Sequence, residues 1–222
     1  MPSILELVQT LAVWALPVLS AITLHEVAHG RVAYALGDDT AARMGRLSLN
    51  PLKHIDPVGT VLVPAILLAL GGFLFGWAKP VPVVAQRMQH PRRDMALVAA
   101  AGPLANLAMA LAWGLLLKVA LAALAQDPQA GLWIGLRLMA TAGVVINLAL
   151  MVLNLLPIPP LDGGRVLSGF LPEAWARRMD RLEPYGLLIL VALLASGVLG
   201  VILGPPMGLA QGFVVTLLGL DA

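Results

Sequence analysis

The chain has 222 residues, 59% of them hydrophobic and 12% charged, and its mean hydropathy is +0.90. That balance excludes an ordinary soluble domain and predicts an integral membrane protein with about five or six apolar segments of ~20 residues each. A net charge of +2 with its basic residues in loops points to membrane orientation and away from nucleic-acid binding, and the absence of cysteine excludes disulfides and thiolate metal sites.

The first predicted element is a helix from Ile4 to about Leu36. No basic leader precedes its apolar run and no small-residue cleavage site stands out, so it reads as a retained membrane helix and not as a signal peptide. Near its far end it carries Leu24-His25-Glu26-Val27-Ala28-His29-Gly30, with two of the four histidines of the chain. Helical positions four apart lie one turn above each other, so His25 and His29 can offer two imidazole nitrogens to one ion. Glu26 then lies to one side of that ion. In the His-Glu-x-x-His arrangement the two histidines bind zinc and the glutamate is the general base. Such a trio on a soluble helix also serves to pair with neighbours or cap an end. Within an apolar span each charged group costs at least roughly 2.5–3.5 kcal/mol, and a divalent cation on neutral imidazoles offsets that cost.

Gly37-Asp38-Asp39 stops the helix. Arg43 to Asn50 alternates partially and is expected to form a short strand or hairpin at the membrane surface. Val58 to Trp77 is apolar, but Pro64 and Gly71-Gly72 weaken a straight helix. Basic residues flank it on both sides: Arg43, Arg46 and Lys53 before, Lys79, Arg87, Arg92 and Arg93 after. The segment is therefore expected to be re-entrant, with a plain span as the alternative. Lys79 to Val84 reads as an extended edge strand, because its prolines exclude helix.

Met95 to Leu124 and Leu132 to Leu156 are the next long helices. Pro157-Ile158-Pro159-Pro160 breaks the chain and Leu161-Asp162-Gly163-Gly164 follows. Tyr185 to Leu203 is expected as a fourth span, Gly204-Pro205-Pro206 as a turn, and Met207 to Leu220 as a half-helix. Of the 14 Lys and Arg residues, all but Lys118 and Arg137 fall on the side where the first helix ends. The bias places the N-terminus outside and the His-Glu motif toward the cytoplasmic face.

Catalytic zinc usually takes three protein ligands and keeps one position for water. The candidates for the third are His54, His90, Asp56, Asp94 and Asp162. Asp162 is the best, because it follows a proline break, and irregular backbone at membrane depth lines protein or a water-filled cavity. The alternative is that Asp162 caps the helix after it.

Three motifs occur in order: His25-Glu26-Val27-Ala28-His29-Gly30, Gly102-Pro103-Leu104-Ala105-Asn106, and Asn154 through Pro157 to Asp162-Gly163-Gly164. Together they resemble the site-2 protease family of intramembrane zinc metalloproteases, over residues 20 to 170. Asn50-Pro51-Leu52-Lys53-His54-Ile55-Asp56-Pro57 is similar to a segment of bacterial members. The resemblance implies an all-α polytopic bundle with three core transmembrane helices, and a single integral-membrane metalloprotease domain over residues 1–222. It implies one Zn2+ per chain held by His25, His29 and Asp162, Glu26 as the catalytic base, and Asn154 and Asn106 as substrate-binding residues. Gly102 and Asn106 fall where close packing near the site is expected. The two expected strands would present substrate by strand addition. The implied partners are the lipid bilayer and a transmembrane protein substrate, in a bacterial inner membrane. Unlike better-known members, the sequence is expected to lack an inserted PDZ domain between its second and third core helices and a regulatory domain after its last span. The rival readings are a metal-handling membrane protein, which needs no base beside its ion, and an inactive member acting as a scaffold.

Overall fold

The computed structural model describes residues 3–62 and 78–220. The first helix, α1 (Ile4–Ala35), opens on a reciprocal cap. The Ser3 hydroxyl accepts the Glu6 backbone N–H, and the Glu6 carboxylate accepts the Ser3 N–H at 2.7 Å. It closes on Gly37 at φ +107°. There the Asp38 N–H donates to the Ala33 carbonyl and the Gly37 N–H to that of Tyr34, which satisfies the last turn. The predicted stop at Gly37 is thus a left-handed residue that lets two orphan carbonyls find donors.

A short helix α2 (Thr40–Arg43) follows, then α3 (Pro91–Gln126), α4 (Gly131–Asn154), α5 (Asp162–Phe170), α6 (Glu173–Asp180), α7 (Gly186–Ala195) and α8 (Val198–Leu218). Helices α1, α3, α4 and α8 are long and apolar enough to cross a membrane, and the protein is an integral membrane protein. Helix α3 packs against α1, α4, α5 and α8, and α1 also packs on α4. Buried positions on these helices are dominated by small residues, among them Ala21, Ala33, Ala110, Ala120, Ala140 and Ala142. Such residues let membrane helices approach closely where lipid offers no hydrophobic drive. A Cβ on Gly143 of α4 would run into the Trp113 ring of α3.

Two sequence expectations are corrected. Among the described residues no strand forms. Arg43 to Asn50 instead finishes α2 and turns at Gly45, whose φ is +63°. Lys79 to Val84 is irregular, with no partner strand among the described residues; Pro80 and Pro82 have no N–H, and the donors of Lys79, Val81 and Val84 go elsewhere. The Lys79 N–H donates to the His54 carbonyl at 2.9 Å, that of Val81 to Glu26 Oε2 at 2.7 Å, and that of Val84 to Asp38 Oδ2 at 2.6 Å. Arg46, buried on its side chain, donates to the carbonyls of Lys79 and Pro80. Residues 79–84 therefore form a strap held by side chains in place of a ladder.

The second correction concerns the last two helices. The break falls at Gly197, φ +74°, between α7 and α8. Pro205 and Pro206 lie inside α8 and do not turn the chain. Proline's fixed φ suits a helix, and the lost hydrogen bonds are tolerated in membrane helices. The expected re-entrant segment falls mainly on residues 63–77 and lies outside the described residues.

Candidate metal centre

The helical period alone brings His25 and His29 together. Their Nε2 atoms are 3.0 Å apart, and the rings meet edge-to-face with centroids 4.6 Å apart. Each ring is turned by a bond at its other nitrogen. His29 Nδ1 lies 2.7 Å from the Val98 carbonyl, and His25 Nδ1 lies 2.6 Å from Asn106 Oδ1. Both partners accept, so both Nδ1 atoms carry the hydrogen and both Nε2 atoms present lone pairs.

Helix α3 reaches this pair through Gly102. A Cβ there would sit 2.5 Å from both His25 Cε1 and His29 Nε2. The glycine of the second motif is thus the floor under the two imidazoles, which any side chain would fill.

The third wall is Asp162, the first residue of α5. Gly163 and Gly164 let this turn close on the preceding loop: a Cβ at Gly163 would run into the Leu155 backbone, and one at Gly164 would lie 2.6 Å from Pro159 N. Asp162 Oδ2 comes within 3.2 Å of His25 Nε2 and 3.3 Å of His29 Nε2. Leu161 is the N-cap of α5, and no side-chain capping bond is formed there. Asp162 Oδ2 is buried with no hydrogen-bond donor in bonding geometry.

The ligand atoms of His25, His29 and Asp162 all lie within 4.8 Å of one another. Two lone-pair nitrogens and a carboxylate oxygen crowd together without a donor among them. Such a set is repulsive by itself and fits a cation.

The other third-ligand candidates are engaged elsewhere. His54 is buried with Nε2 on the Ser48 carbonyl. Asp94 accepts the His90 N–H at the start of α3, and His90 itself is exposed. Asp56 accepts the N–H groups of Val58 and Gly59. Asn154 is half-buried at the end of α4, its Nδ2 on the Leu150 carbonyl. Asn106 is fully buried, its amide shared between His25 and Asn147. Asn147 was not singled out from the sequence. The signal was present, since an amide in the middle of an apolar helix needs a partner, but its partner is on another helix.

Comparison with known proteins points to one family. The family model described as Peptidase family M50 matches residues 118–197, a stretch that includes Asp162 and not the histidines. The chain is 38% identical to "Putative zinc metalloprotease YwhC" of Bacillus subtilis over 89% of its own length and 86% of that protein's. It is 34% identical to Rip2 of Mycolicibacterium smegmatis, which carries the same description, over 80% of its own length and 64% of that protein's. The Rip2 of Mycobacterium tuberculosis is 35% identical over 79% of this chain and 63% of its own length. No solved structure matches the chain. The likeness to YwhC runs over nearly the whole of both chains, and this chain belongs to peptidase family M50, the site-2 proteases, as an intramembrane zinc metalloprotease.

Proposed function

We propose that His25, His29 and Asp162 hold one zinc ion in this protease, and that Glu26 is the group that moves the proton. The observation that carries the ligand set is the convergence of three acceptor atoms with no donor among them. Bound zinc supplies a polarised carbonyl and a water of lowered pKa. Glu26 takes the proton at its carboxylate as water attacks and returns it to the leaving amine. Its Oε2 is held by the Val81 N–H, which steadies the carboxylate and leaves Oε1 for that work.

The substrate is the transmembrane segment of another membrane protein. Its carbonyls are occupied by i to i−4 bonds until the helix unwinds locally, so Gly or Pro near the scissile bond eases cleavage. Asn154, on the loop side of α4, contacts the substrate backbone. Asn106 stands behind His25, and no substrate contact is assigned to it. The basic loops put the site at the cytoplasmic face of a bacterial inner membrane, and residues 1–222 act as one domain. A metal-handling role finds no second ligand cluster among the described residues.

The test is cleavage of a model transmembrane substrate by the unsubstituted protein and by Glu26→Gln, with bound zinc measured in both. Glutamine keeps the shape and loses the base. The variant is expected to hold one zinc per chain and to cleave ~10²–10⁴-fold more slowly. Cleavage at the parent rate, or loss of zinc together with activity, would overturn the role of Glu26.

A further inference from the structure

We propose that Asn147 is a positioning residue: it orients the Asn106 amide, which in turn fixes the tautomer and aim of His25 and so sets the zinc affinity of the site. The inference rests on the zinc reading above.

The argument starts at a backbone carbonyl. Asn147 Nδ2 donates to the Gly143 carbonyl at 2.8 Å. A carbonyl only accepts, so the NH2 end of the Asn147 side chain must face it. That leaves Asn147 Oδ1 facing Asn106, whose Nδ2 donates to it at 3.0 Å. The other Asn106 hydrogen faces the Ala21 carbonyl at a longer 3.4 Å. With its NH2 end committed, Asn106 can offer His25 only Oδ1, at 2.6 Å. His25 must then carry its hydrogen on Nδ1, and its Nε2 lone pair faces His29 and Asp162.

Every link runs one way, and reversing any amide would set donor against donor or acceptor against acceptor. Both asparagines are fully buried, at 0% exposure, so no solvent molecule replaces a lost partner. The relay ties α4 through α3 to α1, and ends on the Nδ1 of His25, the nitrogen opposite the one that faces His29 and Asp162. His29 obtains the same orientation from the Val98 carbonyl alone, so only His25 depends on side chains that a substitution can reach.

Outer partners of metal ligands typically change metal affinity by ~10–100-fold when removed. The full chain is purified in detergent, and zinc affinity is measured by chelator competition, with the visible spectrum of the cobalt-substituted protein as a second readout. Asn147→Leu is expected to weaken zinc by ~10–100-fold and to shift the cobalt bands. Asn147→Asp, protonated in this fully buried place, keeps a donor for the Gly143 carbonyl and an acceptor for Asn106, and is expected to retain both. The double variant Asn106→Asp/Asn147→Leu presents a carboxylate to His25 without the relay, and is also expected to regain the affinity lost in Asn147→Leu. If Asn147→Leu does not fold, Asn147→Ala takes its place. Parent-like zinc binding in the leucine or alanine variant, or an equal loss in the aspartate and double variants, would overturn the relay. Absence of zinc from the unsubstituted protein would overturn the metal reading and the relay with it.

Discussion

At the scale of single residues, the centre depends as much on what Gly102 lacks as on what its ligands supply. The two imidazoles occupy the space of a Cβ at that position. Gly102→Ala leaves every ligand in place, yet one methyl has to displace His25 or His29. Overpacking of this kind costs typically 1–3 kcal/mol. The expected outcome is a folded protein with a lowered thermal midpoint and well under one zinc per chain by metal analysis; full zinc occupancy would contradict the packing. The histidines and Glu26 were legible in the sequence because a helix brings residues four apart together without help from the rest of the fold. Asp162 was legible as a candidate from its proline break, and its ligand role, which the resemblance implies, stands as the proposal made above. Asn147 was not, because its chemistry exists only where α3 and α4 meet. Gly102 was recognised as part of a motif, but its reason, two rings where a side chain would be, is three-dimensional.

At the scale of elements, the strap at residues 79–84 replaces an edge strand that proline content suggests. Proline pattern reports which N–H groups are missing, not where the surviving ones bond. Here those of Val81 and Val84 bond to carboxylates, and Asp38 is one of the anchors. Burial works to raise the Asp38 carboxyl. The Thr40 hydroxyl, the Val84 and Thr40 N–H groups and the Arg87 charge outweigh it, and the group lies below its ordinary 3.8. A carboxylate lowered on folding stabilises the fold above its unfolded value and loses that contribution as pH falls through the folded one. Acidification below 3.8 is therefore expected to loosen the strap. Thermal unfolding across pH should show a steeper acid decline in the parent than in Asp38→Asn. Equal slopes would remove Asp38 as the acid-sensitive anchor.

At the scale of the whole molecule, three of the four long apolar helices, α1, α3 and α4, were legible from composition and motifs. The partition of the last two helices was not. Gly204-Pro205-Pro206 looks like the stronger break by residue type, but fixed proline φ angles continue a helix, whereas Gly197 takes a left-handed conformation that ends one. Topology follows from how the ends are tied. The Lys79 N–H on the His54 carbonyl brings the two sides of the intervening stretch to one place. Lys118 Nζ binds the Leu218 carbonyl, joining the ends of α3 and α8. Single cysteines at Asn50 and Gln86, in a chain with none of its own, are expected to react with an impermeant thiol reagent from one side of the membrane. A cysteine at Gln129 is expected to react from the other. Opposite labelling of Asn50 and Gln86 would require a plain span between them.

The strap also carries a consequence for how far a change in the chain is felt. The Val81 donor is a backbone N–H, so replacing that side chain leaves the bond to Glu26, whereas a shift of residues 79–84 moves it. Linkage makes the tie reciprocal: whatever loosens the strap loosens the Glu26 carboxylate, and whatever draws that carboxylate away loosens the strap.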